Sequence, residues 1–70
     1  MSEDILVKFG NKVKEERLKR GLSQEKFAKI VGVHRTYIGM IERAEKNITL
    51  INIKKISDAF GITLSDLFNF

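Results

Sequence analysis

Apolar residues recur along the chain at three- and four-residue spacing, and nowhere do they alternate singly as in a half-buried strand. The pattern predicts five helices and no sheet. The first runs from about Asp4 to Arg20, with Ile5, Leu6, Phe9 and Val13 inward, and Gly21 ends it. Ser23 is placed to cap the second helix, and Glu25 lies in its first turn, where the helix dipole favours an anion. Phe27, Ala28 and Val31 form its inner stripe, and Gly32 breaks the chain. The third helix starts at His34 or Arg35 and runs to about Ala44, with Ile38 and Ile41 inward. Beyond a polar loop, Thr49 caps a fourth helix with the stripe Leu50, Ile53, Ile56 and Phe60, closed by Gly61. Thr63 and Asp66 have capping-box spacing, and Ile62 with Leu67 has the spacing of a hydrophobic staple, so a fifth helix spans roughly Leu64 to Phe68. The expected architecture is an all-α, five-helix bundle with short connections, one domain over residues 1–70.

Residues 24–43 satisfy constraints of several different kinds at once. Two short helices joined by a tight glycine-containing turn form a helix-turn-helix. Where the helices cross, one small residue must let the backbones approach, and Ala28 is there. The turn needs a residue that accepts positive φ, and Gly32 follows four residues later. The inward positions must be apolar, and they are Phe27, Val31, Val33, Ile38 and Ile41. A helical hairpin with no DNA role would meet some of these demands but has no reason to meet them all.

Charge sharpens this picture. The net charge is +4, but residues 8–46 carry eleven Lys and Arg against five Glu, whereas the first seven residues are acidic and residues 47–70 balance. A basic middle suits a polyanion, although a solvated lysine-rich surface would look the same by charge alone. The absence of cysteine removes disulfides and thiolate metal sites. The lone His34 has no ligand partner for a metal. No apolar run is long enough to span a bilayer, and the acidic start Met1-Ser2-Glu3-Asp4 is unlike a signal peptide, so a cytoplasmic protein is expected.

Arg17, the run Gly21-Leu22-Ser23-Gln24-Glu25, Phe27-Ala28, Gly32-Val33, Arg35-Thr36-Tyr37-Ile38, Ile41-Glu42-Arg43 and Thr49-Leu50 together resemble the Cro/repressor-type helix-turn-helix family, and Leu64, Asp66, Leu67 and Phe68 extend the match. The stretch from Arg35 through Glu42-Arg43 to Asn47-Ile48-Thr49 is most similar to the controller proteins of restriction–modification systems. The resemblance implies a phage-repressor-like DNA-binding bundle whose third helix reads double-stranded DNA. N-terminal residues of such a helix reach base edges. Arg35 is the first candidate, because guanidinium matches guanine O6 and N7, and Thr36 offers a hydroxyl and a methyl. The family likeness favours DNA contacts by Tyr37 and by Lys46. Gln24 resembles the family's phosphate-contacting glutamine; His34, Arg43, Asn47 and Thr49 are further phosphate candidates. Matching residues in the family form an ion pair behind the reading helix, which implies an Arg17–Glu42 pair here.

Three positions depart from the usual pattern. His34 stands at a cap where Ser, Thr or Asp is commoner. Gly39 costs about 1 kcal/mol in mid-helix relative to Ala, with close approach to DNA as one compensation. Glu16 stands where many relatives carry an apolar residue.

One such module reads too few base pairs for useful specificity. Relatives dimerise about a two-fold axis, so a homodimer is expected, with residues from about 50 to 70 as the dimerisation region. Ile51, Leu64, Phe68 and Phe70 are its candidates, because this segment holds more apolar positions than one small core needs; Phe68 could equally close the monomer core. No cofactor, metal or small-molecule ligand is expected, and nothing suggests an enzyme: there is no glycine-rich phosphate loop, no cysteine and no carboxylate pair in an evident cleft. RNA polymerase is a further partner if the protein activates transcription. A generic phage-type repressor and an antitoxin-like protein-interaction module remain alternative readings at this point.

Overall fold

A computed structural model describes residues 4–70. The acidic start therefore lies outside the described residues except for Asp4. Five helices follow in order: α1 (Asp4–Lys19), α2 (Gln24–Val31), α3 (Arg35–Glu42), α4 (Leu50–Phe60) and α5 (Leu64–Leu67), with no strand among the described residues. No helix there is long and apolar enough to cross a membrane.

The helix ends are where the cap residues place them. Ser23, Thr49 and Thr63 each accept a hydrogen bond from the backbone N–H three residues on, at 3.0, 3.2 and 3.0 Å. His34 also caps: its Nδ1 accepts from the Thr36 N–H at 3.1 Å. Gly32 closes α2 at φ 91°, the left-handed conformation the sharp turn into α3 requires. At the end of α3, Ala44 takes φ 60°, and the N–H groups of Ala44 and Glu45 donate to Ile41 and Met40. This is a Schellman-type stop with alanine where glycine is usual.

One core forms from all five helices: Phe9 and Val13; Phe27, Ala28 and Val31; Ile38 and Ile41; Ile53, Ile56 and Phe60; and Leu67. Phe27 and Phe60 stack at 4.4 Å between ring centroids, tying α2 to α4. α1 crosses α3 at Gly10, where an added Cβ would lie 2.5 Å from the Ile41 carbonyl oxygen, so only glycine permits this approach. Two expected core residues are corrected. Ile5 is 52% exposed and Leu50 is 83% exposed. Each sits in the first turn of its helix, where the periodicity selects the correct side but no neighbouring helix covers it.

Glu16 resolves differently from an apolar core position. Its carboxylate is buried, and three cations converge on it: Arg20 at 2.9 Å, and Lys12 and Lys19 at 3.2 Å. Arg20 also donates to the Phe60 carbonyl at 3.0 Å and lies 4.7 Å from the Phe60 ring centroid, joining the end of α1 to the end of α4. The hydrogen bond from Arg20, with those from Lys19 and Lys12, outweighs the desolvation of burial and lowers the Glu16 pKa from 4.5 to about 2. A carboxyl depressed on folding stabilises above its unfolded pKa, and that contribution is lost as pH falls through the folded value. Urea unfolding should therefore show about 2–3 kcal/mol more loss between the two pKa values in the parent than in Glu16→Gln. Identical pH profiles would show that the cations do not hold this carboxylate.

Candidate nucleic-acid interface

The interface is braced from behind. Arg17 donates twice to Glu42, from Nε at 2.7 Å and from Nη2 at 2.9 Å, and its Nη1 donates to the Leu22 carbonyl at 2.8 Å. Gln24 Nε2 adds a third donor to Glu42, at 3.1 Å on Oε1. The pair is nearly sealed from water, with side-chain exposures of 8% and 3%. Hydrogen bonding to Glu42 outweighs the desolvation of burial and raises the Arg17 pKa above its already high ordinary value. The end of α1, the start of α2 and the end of α3 thus meet at one carboxylate, and the α1–α2 turn is joined to them through the Arg17 guanidinium.

With α3 so held, Ile38 and Ile41 face the core, and Arg35, Thr36 and Arg43 face solvent. Arg35 is bound to Glu25 on α2 through Nη1 at 2.9 Å, leaving its other donors available. Arg43 is bound to Glu45 at 3.1 and 3.2 Å, which raises its pKa. Because His34 Nδ1 accepts from the backbone, a neutral imidazole carries its proton on Nε2, where it can be donated outward. Gln24 is half-buried; one amide N–H is used on Glu42, and the second is available to a phosphate.

A second cluster forms at the other side of α3. Tyr37 lies half-buried against the core, its phenol oxygen accepts from Asn52 Nδ2 at 2.9 Å, and the Lys46 ammonium stands 6.0 Å from its ring centroid. Asn47 and Thr49 are exposed in the same α3–α4 connection, Thr49 with its oxygen engaged as the α4 cap. Gly39 is buried, and a Cβ there would come within 3.0 Å of Arg43 Nη1 and 3.5 Å of Gln24 Oε1. Its gap therefore accommodates those side chains.

The dimer candidates all lie on the surface: Ile51, Leu64, Phe68 and Phe70 are 71%, 42%, 38% and 49% exposed, and Leu50 joins them. Phe68 stacks on Phe9 at 5.4 Å and meets Phe70 at 6.1 Å with the rings tilted by 56°, so it contacts the monomer core while keeping an exposed face. Glu25 as the partner of Arg35, Glu45 as that of Arg43, and Asn52 as that of Tyr37 are absent from the sequence reading. Glu25 carried only the signal of an acidic first turn, and Asn52 carried none.

The chain belongs to the helix-turn-helix family, which it matches over residues 13–67. Within that family it is similar to control proteins of restriction–modification systems. It is 49% identical over 67 residues to control protein C.MunI from Mycoplasma sp., covering 94% of this chain and 90% of that one. The fold matches the crystal structure of the restriction–modification controller protein C.AhdI from Aeromonas hydrophila, with a TM-score of 0.85, 44% identity and coverage of 89% and 90% of the two chains. It also matches controller protein C.Esp1396I, solved as a tetramer in complex with its natural 35 base-pair operator, with a TM-score of 0.88, 30% identity and coverage of 96% and 88%.

Removing one partner of the brace strands the other charge in a dry site. Glu42→Ala should cost about 3–5 kcal/mol in urea unfolding, a large part of the stability of so small a domain. Replacing both partners by apolar residues, Arg17→Met with Glu42→Leu, should recover most of that loss. A single variant within about 1 kcal/mol of the parent would mean that Arg17 finds water or another acceptor.

Proposed function

We propose that the chain is the control protein of a restriction–modification system: a cytoplasmic homodimer that binds a pseudo-palindromic operator through α3 and regulates transcription. The observation that carries this reading is the braced α3, with Arg35 and Thr36 exposed at its N-terminal end, in a chain so similar to named control proteins. Arg35, Thr36, Tyr37 and Lys46 are the base-contacting residues in this proposal; Gln24, His34, Arg43, Asn47 and Thr49 hold phosphates. Two copies related by a two-fold place their α3 helices in successive major grooves, about 34 Å apart. RNA polymerase is a partner on this reading if the protein activates.

Footprinting on the DNA upstream of the chain's own gene is the direct test, followed by binding measured against salt. A regulator of this kind gives a log K that falls with log salt by about 0.9 for each phosphate neutralised. A flat salt dependence with no preferred sequence would instead indicate a protein-interaction module. Arg35→Ala should lose about 1–3 kcal/mol of operator binding and relax preference at one base position. Equal losses on every duplex would make Arg35 a phosphate contact. Phe70→Asp should shift sedimentation from dimer toward monomer; an unchanged profile would remove the tail from the interface.

A further inference from the structure

Resting on that DNA-binding reading, we infer that Asn52 is a positioning residue for Tyr37: it holds the phenol oxygen as an acceptor and so turns the O–H outward as a donor to DNA. A phenol has one hydrogen and an oxygen that can accept. With Asn52 Nδ2 donating to that oxygen at 2.9 Å, the hydrogen is left for another partner. Asn52 is itself placed by the α4 cap, since its backbone N–H donates to Thr49 Oγ1 at 3.2 Å. The Tyr37 ring is held against the core from below. Ring position and hydrogen-bond role are therefore set from two different elements, and α4, outside the helix-turn-helix, decides how an α3 side chain meets its ligand.

The ligand atom is an acceptor on DNA. The Lys46 ammonium, 6.0 Å from the ring centroid, adds positive charge at the same place, which suits a phosphate oxygen or an acceptor on a base edge. The two are told apart by sequence dependence, because a phosphate contact loses affinity equally on all duplexes and a base contact relaxes preference at one position.

The chain has one tyrosine and no tryptophan, so every tyrosine ring signal comes from Tyr37. In ultraviolet resonance Raman spectra, the tyrosine doublet ratio reports whether the phenol accepts or donates. Asn52→Leu should shift the ratio of the free protein toward a pure donor. In anisotropy titrations of labelled operator, Asn52→Leu and Tyr37→Phe should each weaken binding about threefold to tenfold, and the double variant should be no weaker than Tyr37→Phe alone. Asn52→Ala serves as a second variant should leucine disturb folding, and melting curves matching the parent confirm that the loss is not structural. An equal further loss on the Tyr37→Phe background would show Asn52 touching DNA itself and would overturn the inference. So would an unchanged doublet ratio, with operator binding by the parent intact. A parent chain without operator preference would overturn the regulator reading instead.

Discussion

Arg17 and Glu42 are joined by two parallel hydrogen bonds in a nearly water-free site, and the rotation of α3 about its own axis depends on them. Hydrophobic burial alone is non-directional: Ile38 and Ile41 would be about equally content with small rotations or slips of the helix. A bidentate guanidinium–carboxylate pair is not, because its geometry is planar and its failure leaves a buried charge. Here the carboxylate also takes the Gln24 amide, and the guanidinium is itself held by the Leu22 carbonyl. Gly10 supplies the other half of the constraint by letting α1 press directly on the Ile41 and Glu42 carbonyls. The outward direction of Arg35 and Thr36 follows from these contacts as much as from the helix period.

The parts of this arrangement that depend on local or periodic rules were legible in the sequence. Capping by Ser23, Thr49 and Thr63, the turn at Gly32 and the stripes of α2 and α3 all appear where spacing puts them. Periodicity misleads at Ile5 and Leu50, since it gives a direction and says nothing about whether a neighbour stands there. Glu16 shows the converse, a charge on a buried face that survives because Lys12, Lys19 and Arg20 lie one turn away on the same helix. The expected Arg17–Glu42 pair came from family resemblance, because nothing local links residues so far apart. Asn52 on Tyr37 and Glu25 on Arg35 are likewise side-chain meetings between different helices, and no spacing rule announces them.

These meetings bear on how a small basic chain can be selective. Residues 8–46 carry most of the positive charge, which attracts any phosphate backbone regardless of sequence. Yet Arg35 and Arg43, on the face proposed to meet DNA, each hold an intramolecular carboxylate, Glu25 and Glu45. Exposed pairs of this kind are worth about 0–1 kcal/mol, so they are readily exchanged for a better acceptor. Glu25 engages one Arg35 nitrogen, so a guanine edge can be met by the remaining donors while that contact is kept. A lone phosphate offers that arginine less, because it must approach beside a negative charge. On the proposed reading, the basic surface as a whole, Arg43 included, supplies attraction to phosphates, and Glu25 biases Arg35 toward a base edge that can take its remaining donors.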